Sequence, residues 1–187
     1  MAATPERARE LLSRHGNCTP QDATDWTGTI PLPEPIAAFY RDVGPLNIEV
    51  VGYGNPSFIP SLATLWDHQA GYRWDGVSDA PIEDWNPAWF VVADEGADPY
   101  IFDTTTGRIL FAQHGYGEWD AGEIYPDLNT MAACIAALGT VILDADEFTD
   151  DDEMIKPECR ERAIALLTEI IGEKIEAEVI VETAGWG

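Results

Sequence analysis

Polar and apolar positions along this chain follow two different periods, and the switch between them marks out the elements. Thr4-Pro5-Glu6 offers a capping hydroxyl followed by proline at the first helical position, which predicts a helix to about Arg14 that stops at Gly16. Polar, turn-rich residues follow to about Thr29. In LPEPIAAFYRDVG (32–44), Ile36, Phe39, Tyr40 and Val43 recur at helical spacing, so a short amphipathic helix is expected. IEVVGY (48–53) has the composition of a strand, ended by Pro56 and Pro60. Ser61 to Ala70 suits another helix, with Leu62, Leu65 and Trp66 on one face.

The clearest alternation lies at 88–113, where AWFVVADE, PYIFDT and GRILFAQH are rich in β-branched and aromatic residues. Gly96 and the TTTG turn separate them, which predicts a three-stranded antiparallel meander. Tyr100 and Phe102 share one face of the middle strand; Ile101 and Asp103 share the other. Residues 115–127 read as a loop. The helix expected at 128–143 is apolar nearly all round and belongs in the core against the sheet. Trp85, Trp89, Phe90, Val92, either Ile101 or Tyr100 with Phe102, and Ile135 with Leu138 are therefore expected in one shared core. DADEFTDDDE (144–153) reads as an exposed acidic linker, Pro157 to Ile171 as an amphipathic helix, and KIEAEVIVETAGW (174–186) as a closing strand. These elements give an α+β class. At this length folding buries roughly 70% of the surface of the unfolded chain, enough for a core that needs no staples.

Charge changes the picture most. There are 34 acidic against 10 basic residues, a formal net of −24. Residues 42–155 hold 22 acids and only Arg73 and Arg108, so the field belongs to the body of the chain and not to a tail. Such a field repels nucleic acid and anionic membrane and draws cationic partners. A generic solubility charge, or an organism-wide acidic bias, is the plainer explanation. Self-repulsion costs stability, which argues for a use.

The chemistry expected of an enzyme does not assemble. Cys18, Cys134 and Cys159 are odd in number and form no CxxC pair or disulfide framework. Gly52-Tyr53-Gly54 and Gly115-Tyr116-Gly117 do not extend to a phosphate-binding loop, and His15, His68 and His114 share no metal-ligand spacing. Aligning Asp144 and Asp146 with a calcium loop puts Phe148 at a ligand position, so that reading fails. No metal and no cofactor are expected. The N-terminus lacks an apolar signal segment and 131–143 is too short for a membrane span, which makes the expected location cytoplasmic.

Leu32, Pro33, Phe39 and Gly44 are followed by Trp85, Ala93-Asp94-Glu95-Gly96, Tyr100-Ile101-Phe102-Asp103, Gly107 and the helix near Ala132–Leu138. This order of elements resembles the SUKH superfamily, the Smi/Knr-type domain of yeast cell-wall regulators and many bacterial immunity proteins. The resemblance spans about residues 30 to 140; the acidic run and the last helix lie outside it, and Pro56 and Pro60 depart from its first strand. The whole chain is expected to form one domain over 1–187: a family-like core at 30–143, to which the residue pattern adds an acidic linker at 144–156 and a C-terminal helix and strand at 157–187. The implied fold is a mixed, largely antiparallel sheet packed against helices. The implied activity is not enzymatic but neutralisation of a cognate toxin domain, such as a nuclease or nucleobase deaminase, in the producer's cytoplasm.

The segment GYGEWDAGEIYPD (115–127) joins the two lines of reasoning. Carboxylates can steer a basic partner, and aromatic rings can supply the desolvated anchors that dominate interface energy. The expected partner-binding residues are Tyr116, Glu118, Trp119, Asp120, Glu123, Tyr125 and Asp127, with Asp150, Asp151 and Asp152 of the acidic run. The expected partner, a toxin domain as the resemblance implies, is basic; no nucleic acid and no membrane are expected. Alternatively, Trp119 and Tyr125 fold back onto the core while the acids face water. A regulatory or scaffold module is the competing function, and an enzyme with scattered carboxylates a third.

Overall fold

The fold was established from a computed structural model, which describes residues 2–115 and 119–186. Helix α1 (Pro5–Leu12) starts where the sequence predicts, the Thr4 hydroxyl accepting the Arg7 N–H. Helix α2 (Glu34–Asp42) buries Ile36, Phe39 and Tyr40. It ends at Gly44, where φ is +69° and a Cβ would stand 2.0 Å from the Thr19 carbonyl oxygen. Glycine is thus required there twice over, by its left-handed conformation and by the close passage of the chain.

Six strands follow among the described residues: β1 (Ile48–Val50), β2 (Ser57–Ile59), β3 (Trp89–Glu95), β4 (Asp98–Asp103), β5 (Ile109–Phe111) and β6 (Gly122–Tyr125). They form one sheet in sequence order, and every pairing is antiparallel, so the expected mixed character is absent. β2 lies between Pro56 and Pro60, which bracket the strand without interrupting its ladder. β6 replaces the second half of the expected loop. Between β2 and β3 sit α3 (Leu62–Leu65) and a 3-10 turn at Asp67–Gln69, in place of the single helix expected there.

Helices α4 (Leu128–Leu143) and α5 (Pro157–Ile171) match their predicted bounds. α4 buries residues around nearly its whole circumference and crosses β1 at Gly139, where a Cβ would lie 2.4 Å from Val50 Cγ1. The closing segment is helix α6 (Lys174–Thr183), not a strand. Ala177, Ile180 and Val181 are buried at helical spacing, and Lys174 pairs with Glu178 one turn on, at 3.4 Å. Alternation in KIEAEVIVE mimics a strand over a few residues, but Lys, Glu and Ala favour the helix that packs on α5.

Both faces of the sheet are covered, which corrects the expectation of one core. Phe90, Val92, Tyr100 and Phe102 face α4 with Ile135 and Leu138 in the larger core. Val91, Ile101 and Ala112 point the other way, under Tyr72 and Trp85, with Trp89 and Trp119 packed against them. A register shift between Val91 and Ala93 leaves Val92 without a partner on β4 and lets it join the helix side. The second layer, drawn from residues 66–86, has little regular structure. It is tied to the sheet by Gln69, which is fully buried. Its side-chain amide donates to the carbonyls of Leu65 (2.9 Å) and Val91 (2.8 Å) and accepts the Val91 N–H (2.9 Å). β2 pairs only with the far end of β3, so one glutamine stands in for a strand beside Val91.

Candidate partner-binding surface

The acidic–aromatic segment divides on folding. Tyr125 is 2% exposed, with its ring centroid 6.2 Å from that of Tyr100 beneath the helices, and burial holds its hydroxyl well above the usual phenol range. Asp127 is the N-cap of α4, its carboxylate accepting the Thr130 N–H at 2.8 Å. Both residues build the fold; Tyr125, being buried, is withdrawn as a partner contact, while Asp127 stays partly exposed. Trp119 is half-buried, its ring 5.5 Å from Trp85 and 5.7 Å from Tyr72, so most of its face is already spoken for. Asp120 and Glu123 face solvent. Tyr116 and Glu118 lie outside the described residues.

The acidic run is more ordered than a linker. Phe148 packs on Trp186 (5.0 Å) and near Tyr53 (5.9 Å), and Thr149 bridges to Ile155. One oxygen of Asp150 accepts the N–H groups of Asp152 and Met154, both at 3.0 Å, closing the turn that presents exposed Asp151 and Asp152. At its start Asp144 lies between Arg14 (2.6 Å) and Arg162 (2.7 Å), which hold its carboxyl down at about 2 against an ordinary 3.8. Exposed Tyr53 and Met154 flank this turn, the Tyr53 hydroxyl donating to the Glu153 carbonyl at 3.1 Å. That arrangement of acids beside an aromatic ring unites residues a hundred positions apart, and nothing in the local pattern around Tyr53 signals it.

The basic residues are almost all engaged. Arg7, Arg14, Arg41, Arg108, Lys156, Arg160, Arg162 and Lys174 each lie within 4 Å of a carboxylate. Arg9 donates to the Cys18 carbonyl. Arg73 lies over the Phe90 ring at 4.9 Å and donates to the carbonyls of Pro87 and Trp89; burial lowers its pKa. The acids outnumber these cations by 24, so most of the solvent-facing carboxylates have no cation of their own.

A hollow of about 560 Å³ lies elsewhere, between β6 and α6. Phe111, Ile124, Ile175 and Val179 give it an apolar lining, and Glu123, Glu173 and Glu176 stand on it. The strand expected over 174–186 places Ile175 and Val179 on a buried face, so its pattern does not mark them as surface residues. A helical reading of 174–183 puts them on the outer side.

Among the described residues no group of three or more His, Cys, Asp or Glu is placed to hold a metal ion, and no helix is long and apolar enough to cross a membrane. No protein-family model, curated protein or solved structure matches the chain.

Proposed function

We propose that this chain is a stoichiometric inhibitor of a basic protein, of the immunity type, which neutralises a cognate toxin domain by covering its cationic surface. The observation that carries the reading is the charge arrangement: the basic side chains are engaged within the molecule, while most of the acids, which exceed them by 24, are exposed on a well-packed body. Unpaired surface carboxylates on a rigid scaffold suit the groove of a protein that handles phosphates. Steering by complementary fields raises association to about 10⁸ M⁻¹s⁻¹ at low salt. The resemblance to the SUKH superfamily supports the same class.

Field strength alone does not hold a complex. Self-protection needs nanomolar affinity, roughly −12 kcal/mol, and buried anchors must supply most of it. Since Tyr125 is buried, the anchors are sought among the exposed hydrophobics that stand beside carboxylates, which include Ile175 and Val179 beside β6, and Tyr53 and Met154 beside Asp151 and Asp152. The test is to express the product of the gene directly beside this one, alone and with this chain. Rescue of growth together with a purified 1:1 complex is the expected result. Toxicity that this chain does not relieve, or no complex at all, overturns the reading in favour of a regulatory module acting on other cellular proteins.

A further inference from the structure

The sheet ends at β6, whose strand partner is β5. An edge strand carries a row of backbone donors and acceptors, and folded proteins usually cover it or guard it with charge. Here α6 stands away from the edge and leaves the 560 Å³ groove between them. Two large aliphatic side chains of α6 line that groove in the open, Ile175 at 76% and Val179 at 54% exposure. They are the kind of surface that in a monomer asks for a partner.

The register of β6 states what such a partner looks like. Tyr125 opposite Ile109, and Gly122 opposite Phe111, lie on the helix side of the sheet. Glu123 sits opposite Leu110, which belongs to the other face. A register shift between Ile109 and Leu110 leaves Ile124 and Tyr125 both packed on the helix side, so a strand laid along β6 meets aliphatic surface on that side and the Glu123 carboxylate on the other. Glu173 and Glu176 add negative charge at the helix rim, while the basic lining residue, Arg108, is 3.5 Å from Glu123.

We propose that β6 and α6 form a docking edge for an extended segment of a basic protein, in which apolar residues alternate with lysine or arginine and which adds to the sheet as a seventh strand. This rests on the reading of the chain as a binder of a cationic protein and names the place and manner of contact. Main-chain hydrogen bonds give such an addition affinity, and the alternating side chains give it specificity. Charge selects this occupant over a second copy of the chain. Edge-to-edge pairing of two copies sets Glu123, Glu173 and Glu176 against their own equivalents, in molecules that each carry −24.

The test uses the full ¹⁵N-labelled chain and a capped octapeptide that alternates valine and lysine. A second peptide of the same composition places the four valines before the four lysines. The alternating peptide is expected to shift the amide resonances of Gly122–Tyr125 and of the groove side of α6. The block peptide, and the double variant Ile175→Ser/Val179→Ser, are expected to bind about tenfold more weakly or worse. Both replaced side chains are exposed, so far-UV circular dichroism of the double variant should match that of the native chain. Equal binding of the two peptides, shifts confined to other surfaces, no shifts at about 1 mM peptide, or a concentration-dependent dimer joined through β6 each overturn the docking edge. If the neighbouring toxin is still neutralised in that case, the inhibitor reading stands and only the site falls. If the peptide maps to the groove but no neighbouring product is inhibited, the edge stands and the inhibitor reading falls.

Discussion

Replacing Gln69 with methionine isolates the device that fastens the second layer to the sheet. The two side chains are similar in length and volume, so the change removes hydrogen bonds while leaving little cavity. Three bonds disappear, two of them to the N–H and C=O of Val91, a residue with no exposed surface. A buried polar group left without a partner costs about 1–3 kcal/mol. Two such groups and the weakened Leu65 carbonyl give roughly 3–6 kcal/mol, from which apolar gain at the methionine removes about 1 kcal/mol. A net loss of about 2–5 kcal/mol is large against a domain stability of roughly 5–15 kcal/mol. Urea unfolding followed by tryptophan fluorescence should show the midpoint falling with an unchanged slope, and the Val91 amide should exchange faster with solvent. A loss below about 1 kcal/mol with Val91 still protected would mean that water or a shifted backbone replaces the glutamine, and the account of the second layer would be wrong.

Three further outcomes follow from the same contacts. Trp119→Ala should destabilise the isolated chain by about 2–3 kcal/mol, from roughly 100 Å² of buried ring surface; unchanged stability in a thermal melt would return the indole to the list of partner anchors. Asp144→Asn should lower the melting temperature at neutral pH. The Asp144 carboxyl is depressed from 3.8 to about 2, so its contribution is full above pH 3.8 and lost as pH falls through about 2. The gap between native and variant chains should therefore close below pH 2, and a gap that persists there would assign the effect to something other than this ion cluster. Added sodium chloride should raise the melting temperature of the native chain, because it screens the self-repulsion of 24 surplus charges; a temperature that falls with salt would contradict that.

Most of the helices were legible because their signals are local. Thr4-Pro5, the spacing of Ile36, Phe39 and Tyr40, and Pro157 followed by Ala163, Ile164 and Leu167 settle α1, α2 and α5 without tertiary information. The meander at 88–113 was equally clear in its alternation and turns. The misreading of α6 came from a short run whose apolar residues satisfy both periods, and only packing on α5 decides between them. The second core could not be read from the strands: Val91 and Val92 are adjacent and both buried, and the bulge that allows this has no local sequence mark. The candidate site was read least well. Composition alone joined Trp119, Tyr125 and Asp127 to the surface acids, but Tyr125 fills the core and Asp127 caps a helix. The sites that remain depend on distant residues brought together, Tyr53 with the 150–154 turn and α6 with β6.

The most direct test of the central claim is the association rate between this chain and the product of its neighbouring gene at two ionic strengths. At about 50 mM and about 500 mM sodium chloride the Debye length falls from roughly 14 Å to roughly 4 Å, so steering by the acidic surface is largely removed at the higher salt. The rate constant should drop at least about tenfold while dissociation changes little. Neutralising Asp120, Asp151 and Asp152 together should flatten that dependence. An association rate indifferent to salt in the native chain, or a fall borne entirely by dissociation, would contradict the claim that the unpaired carboxylates are there to draw in a basic partner.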